Sequence, residues 1–80
     1  MKIINEFNEI ILWPKKRSDK DDVMFFLADK FEVDRQYSEK EINSIILKHH
    51  LFNDVPLLRR ELISRKLLNR TDDGSIYWKL

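Results

Sequence analysis

The chain has no cysteine, which excludes a disulfide framework, a thiol nucleophile and a thiolate metal site. Its single glycine, Gly74, rules out a glycine-rich loop of the kind that cradles nucleotide phosphates. Two prolines and no Ser/Gly-rich tract leave no linker, repeat or low-complexity segment. No apolar run approaches the ~20 residues that span a bilayer, and no signal-peptide pattern opens the chain, so a cytoplasmic protein is expected. Charge of one sign is scarce too. Fifteen basic and 14 acidic residues give a net charge of +1, so the molecule as a whole is no magnet for polyanions.

Chemistry-bearing constellations are equally thin. No nucleophile stands at a recognisable spacing from a base, and no pair of carboxylates marks a cleft, so an enzyme is not expected. His49 and His50 are adjacent, which on a helix splays them by about 100°. Without further ligands nearby in sequence, neither a metal nor a cofactor is expected.

What is present is enough apolar material for one core. Hydrophobic residues make up 42% of 80, near the globular average, so one folded domain is expected rather than disorder. A chain this short buries only ~60% of its unfolded surface, so caps and turns carry real weight. Charge is unevenly placed. Residues 1–53 hold nine Lys/Arg against ten Asp/Glu, whereas residues 54–80 hold six against four. Between Arg59 and Arg70, five basic residues stand against Glu61 alone, a modest phosphate footprint. A second basic run, Lys15-Lys16-Arg17, follows Pro14 and reads equally well as a solvated connection.

Ser18 is the expected cap of a first helix, with Asp21 as its capping-box partner. Val23, Phe26, Leu27 and Phe31 give that helix a buried stripe through Asp29-Lys30. Glu32–Gln36 is a polar loop, and Tyr37 can add a short strand. Ser38-Glu39-Lys40-Glu41 is an S-x-x-E capping box opening a second helix, with Ile42, Ile45, Ile46 and His49 on one face. That helix should fade at His49-His50, and Leu51-Phe52-Asn53 turns the chain. Asp54 caps a third helix that tolerates Pro56 in its first turn. Leu67–Thr71 and Ile76–Lys79 are strand-capable runs around Asp72-Asp73-Gly74-Ser75, a hairpin signal. Residues 1–13 are ambiguous: Ile3, Phe7, Ile10 and Ile11 suit a helix, whereas Ile10–Trp13 suits a strand.

The sum is a small α+β domain of three helices and a C-terminal hairpin, the order of a winged helix-turn-helix with an N-terminal helix or strand before residue 14. Such a domain offers its third helix to a DNA major groove and its hairpin to the backbone. Setting Leu58 at 0°, the third helix has its core face near ~40°, with Arg60 near ~200°, Ser64 near ~240° and Leu57 near ~260°. Arg60 and Ser64 are therefore the candidate base-reading pair, and Leu57 could meet a thymine methyl or a partner protein. Lys66, Arg70, Thr71 and Lys79 are candidate phosphate contacts on the helix end and the wing. Lys40 and Asn43 are candidates on the second helix, where a solvated surface is the plain alternative.

Arg59 flanks the core face, where pairing with Glu39 or Glu41 is the simpler expectation, and Arg65 should lie along the core edge. Glu61 argues against a purely DNA-facing surface, and acidic Asp72 and Asp73 suit a structural hairpin better than a gripping wing. Of the two terminal aromatics, Trp78 is the one expected to pack against the helices. The exposed-looking Ile10–Trp13 segment is a candidate homodimer surface, with packing beneath the domain as its alternative.

The runs Tyr37-Ser38-Glu39-Lys40-Glu41-Ile42-Asn43, Leu57-Leu58-Arg59-Arg60-Glu61-Leu62 and Leu68–Trp78, with Pro14-Lys15-Lys16, resemble the motifs of a bacterial domain-of-unknown-function family, number 2087. The similarity spans about residues 13–79. It implies a winged-helix-like domain found alone or appended to ArsR-type transcriptional regulators, and hence a DNA-binding regulator with duplex DNA or a regulator protein as partner. The other reading is a winged helix used only for protein–protein contact.

Overall fold

The computed structural model describes residues 3–80; Met1 and Lys2 of the expected N-terminal element lie outside the described residues. The elements are α1 (Arg17–Ala28), β1 (Gln36–Tyr37), α2 (Glu39–Lys48), α3 (Val55–Ser64), β2 (Leu68–Arg70) and β3 (Tyr77–Lys79). Three helices and a three-stranded antiparallel sheet make a winged-helix-like α+β domain. The sheet order is β1-β3-β2, so the hairpin's second strand lies in the centre, paired with the short strand before α2. The Tyr37 strand is thus part of the sheet, through Gln36 opposite Trp78 and Tyr37 opposite Tyr77.

α2 begins as its sequence dictates. The Ser38 hydroxyl accepts the Glu41 N–H at 3.1 Å, and the Glu41 carboxylate accepts the Ser38 N–H at 2.9 Å. The Ser38 backbone N–H above all, then the Ser38 hydroxyl and the Arg35 guanidinium, hold the Glu41 carboxyl below its ordinary pKa. Asp54 caps α3 by accepting the Leu57 N–H, with Pro56 in the first turn. α3 closes on a double bond pattern in which Leu67 N–H reaches the Leu62 carbonyl and Lys66 N–H the Ile63 carbonyl. The residue between, Lys66, sits at φ 61°, the left-handed position that usually takes glycine.

α1 departs from expectation. It starts one residue before Ser18, its N-cap Lys16 makes no side-chain cap bond, and Asp21 is used elsewhere. Ser18 lies inside the first turn, so its hydroxyl is not placed to cap. The buried stripe is Val23, Met24, Leu27, Ala28 and Phe31, while Phe26 is only half-buried, with the Lys30 ammonium 4.5 Å from its ring centre.

The core joins that stripe to Ile42 and Ile46 of α2, Leu58 and Leu62 of α3, Leu68, Tyr37 and Tyr77 of the sheet, and Ile10. Ile10 corrects the picture of an exposed N-terminal face. It is 0% exposed, its N–H donates to the His49 carbonyl, and its own carbonyl accepts from Leu51. Residues 3–13 form neither helix nor strand but isolated bridges, Ile4 with Ile10 and Ile10 with His50. Period-two alternation buries Tyr77 at 3% exposure and leaves Trp78 half-buried outside the core cluster, contrary to the expectation that Trp78 packs against the helices. No helix among the described residues is long and apolar enough to cross a membrane.

Candidate nucleic-acid interface

α2 and α3 are spliced by a histidine. His50, 4% exposed, places Nδ1 2.7 Å from the Ile46 carbonyl of α2, and its Nε2 accepts the Asp54 N–H at 2.9 Å. The ring proton therefore sits on Nδ1. The Phe52 ring packs on His50 edge-to-face, 4.8 Å between centres. His49 points its own Nδ1 at the preceding carbonyl, Ile45, so the two rings are spent separately on the end of α2. Asn53, at φ 52°, turns the chain between the helices. The result orients α3 with Leu58 and Leu62 inward and Arg60 and Ser64 exposed, as helix geometry requires.

The arginines divide sharply. Arg65, at the end of α3, binds the Glu61 carboxylate at 3.0 Å and the Asp21 carboxylate of α1, clamping the first helix to the third. The Asp21 bond above all, then that to Glu61, raises the pKa of this guanidinium. Arg59 faces α2, donating to Asn43 Oδ1 at 2.6 Å with Glu39 at 3.7 Å. Glu39 is thus its ionic partner rather than Glu41, which meets Arg35 at 3.2 Å. Arg60 has neither an ion pair nor a side-chain hydrogen bond among the described residues, and it is exposed.

Several of the other expected contacts are already engaged. The Thr71 hydroxyl donates to Asp73 Oδ1 at 2.7 Å and accepts the Ile76 N–H, so it stitches the turn instead of facing outward. Lys79 donates to the Phe31 carbonyl, beyond the end of α1, at 3.3 Å. Asn43 serves as support for Arg59. Lys40 is exposed, but lines a groove on α2 that does not include Arg60. Arg70 folds over the hairpin tip, one guanidinium nitrogen shared between the Thr71 and Asp72 carbonyls at 3.2 and 3.3 Å. Lys66 is exposed and Leu57 half-buried.

The acidic tip is not simply repulsive. Asp73 accepts from the Thr71 hydroxyl and from the Ser75 N–H and hydroxyl, which hold its pKa down to about 2, the Thr71 bond contributing most. Gly74, at φ 73°, makes the turn possible. Between α3 and this hairpin runs an open groove of about 460 Å³, with Arg59 and Arg60 on one wall and Arg70 and the Tyr77 ring on the other. Sequence reasoning missed Tyr77 as a groove residue because strand phase, not residue type, decides which aromatic faces inward.

The model of a bacterial family described as "Uncharacterized protein conserved in bacteria (DUF2087)" matches residues 9–79. The chain belongs to that family. The match begins at Glu9 and so takes in Ile10, the N-terminal residue that enters the core. No curated protein and no solved structure matches the chain.

Proposed function

We propose that this member of the DUF2087 family binds duplex DNA as a transcriptional regulator, with α3 in the major groove. The observation that carries the reading is the outer face of α3. Arg60 and Ser64 stand exposed, one helical turn apart, on the second helix of a helix-turn-helix whose hairpin lies alongside. Arginine in that position can bond guanine O6 and N7 together, and serine can bond a base or a phosphate. Exposed Lys66 and the free edge of Arg70 then meet phosphates. With Arg59 and Arg65 neutralised internally, one copy makes few contacts, so useful specificity calls for a second copy or an ArsR-type partner domain. Of the apolar residues in 3–13, Phe7 and Ile11 remain exposed to serve such pairing.

The test is duplex affinity against salt concentration for wild type and Arg60→Ala. Wild-type affinity falls steeply with salt, and the variant binds more weakly by about 1–3 kcal/mol. Equal binding by the two discards Arg60 as a contact.

A second reading is a winged helix that contacts protein instead. It is favoured by the internal pairing of Arg59 and Arg65 and by the exposed leucines Leu47 and Leu51 around the end of α2. An absence of duplex binding at low salt selects it.

A further inference from the structure

Tyr77 holds an unusual position in the groove beside α3. The residue is 3% exposed as a whole, and its hydroxyl makes no hydrogen bond among the described residues, because that oxygen is the part of the side chain that solvent reaches. Tyr37, the other buried tyrosine, accepts the Glu32 N–H at 2.7 Å. A tyrosine whose ring is buried and whose O–H opens onto a groove is held in place, with its hydroxyl free to donate to whatever enters. A Cβ built on Gly74 would lie 3.9 Å from this oxygen and 3.6 Å from the nearest Arg70 nitrogen, which places the hydroxyl and the guanidinium on the same side of the turn.

The charges around it favour an anion. Three guanidinium groups line the groove, Arg59, Arg60 and Arg70, against two carboxylates, Glu39, which pairs with Arg59, and Asp73, which keeps its charge while accepting bonds within the turn. Arg60 and Arg70 have no carboxylate partner among the described residues. Arg70 spends a single nitrogen on the turn carbonyls, leaving its other N–H groups to donate. We infer that the groove between α3 and the hairpin seats one phosphate group, bonded by the Tyr77 hydroxyl and Arg70, with Arg60 adding positive field from the opposite wall. The inference deepens the proposed DNA reading, where the group would be a backbone phosphodiester beside the bases met by α3. A free phosphate offers the same chemistry.

The experiment titrates isotope-labelled protein with inorganic phosphate, against chloride at matched ionic strength, and follows backbone and arginine side-chain NMR signals. Shifts confined to Arg70–Tyr77 and the second half of α3 support the seat. Because the hydroxyl bonds no other group among the described residues and faces solvent, Tyr77→Phe keeps wild-type stability while its phosphate affinity drops roughly tenfold. Arg70→Gln, which retains donors for the turn carbonyls but not the charge, weakens binding as well. No localised shift, or equal affinity in Tyr77→Phe, overturns the seat. A duplex arm separates the two ideas. Duplex binding that is indifferent to Tyr77→Phe leaves the regulator reading standing and removes the seat as a DNA contact. Phosphate binding at the groove without duplex binding keeps the seat and removes the regulator reading.

Discussion

Replacing His50 with alanine should loosen the joint that presents α3. The Asp54 N–H would lose its acceptor at 2.9 Å, and an unpaired N–H in this partly buried joint costs about 1–3 kcal/mol where water cannot replace the ring nitrogen. The Ile46 carbonyl suffers less, because it also accepts the His49 N–H at 3.1 Å. Losing the edge-to-face contact with Phe52 adds about 0.5–1.5 kcal/mol. The total, about 2–4 kcal/mol, is a large share of the roughly 4–12 kcal/mol expected of a domain this size. Urea denaturation measures the loss, and amide hydrogen exchange locates it, the Asp54 N–H exchanging faster in His50→Ala. The conservative variants carry the logic. Glutamine places an amide oxygen near the Nε2 position and can accept the Asp54 N–H, so His50→Gln should recover about half the loss. Asparagine can restore only the bond to Ile46 and should recover less. An alanine variant within about 1 kcal/mol of wild type, or a glutamine variant no better than alanine, refutes the claim that this imidazole splices the two helices.

Ser38→Ala removes half of the capping box on α2 and should cost about 1 kcal/mol in urea denaturation. Arg65→Ala breaks the α1–α3 clamp, costing about 1 kcal/mol because its partners are partly solvated, yet leaves the salt dependence of duplex affinity unchanged. A shallower salt slope in that variant would mean that Arg65 reaches DNA after all. Asp73 gives a pH test. Its folded pKa lies below the ordinary 3.8, so the stability it contributes is complete above that value and is lost as pH falls toward about 2. Asp73→Asn should flatten the acid side of the stability profile in that window, and NMR titration of its carboxyl should give a midpoint near 2.

Local signals were the legible ones. Ser38, Glu41, Asp54 and Pro56 act within a few residues of themselves, so their roles follow from spacing alone. The outward direction of Arg60 and Ser64 follows from helical periodicity for the same reason. What failed depended on partners distant in sequence. Asp21 was expected to cap its own helix but meets Arg65, 44 residues away. Lys79 was expected at a phosphate but meets Phe31, 48 residues away. Thr71 is a local miss: its hydroxyl could serve either solvent or the turn, and the tight Asp73–Gly74 geometry settled it.

The sequence by itself determined that one small α+β domain forms, where its second and third helices begin, and which side of α3 turns away from the core. Only the tertiary structure decided which cations remain available. A guanidinium takes the nearest carboxylate or carbonyl that packing brings within reach, and that neighbour is set by how α1, α2 and the hairpin close around α3. The same closure set the strand phase that buries Tyr77 and opens its hydroxyl onto the groove.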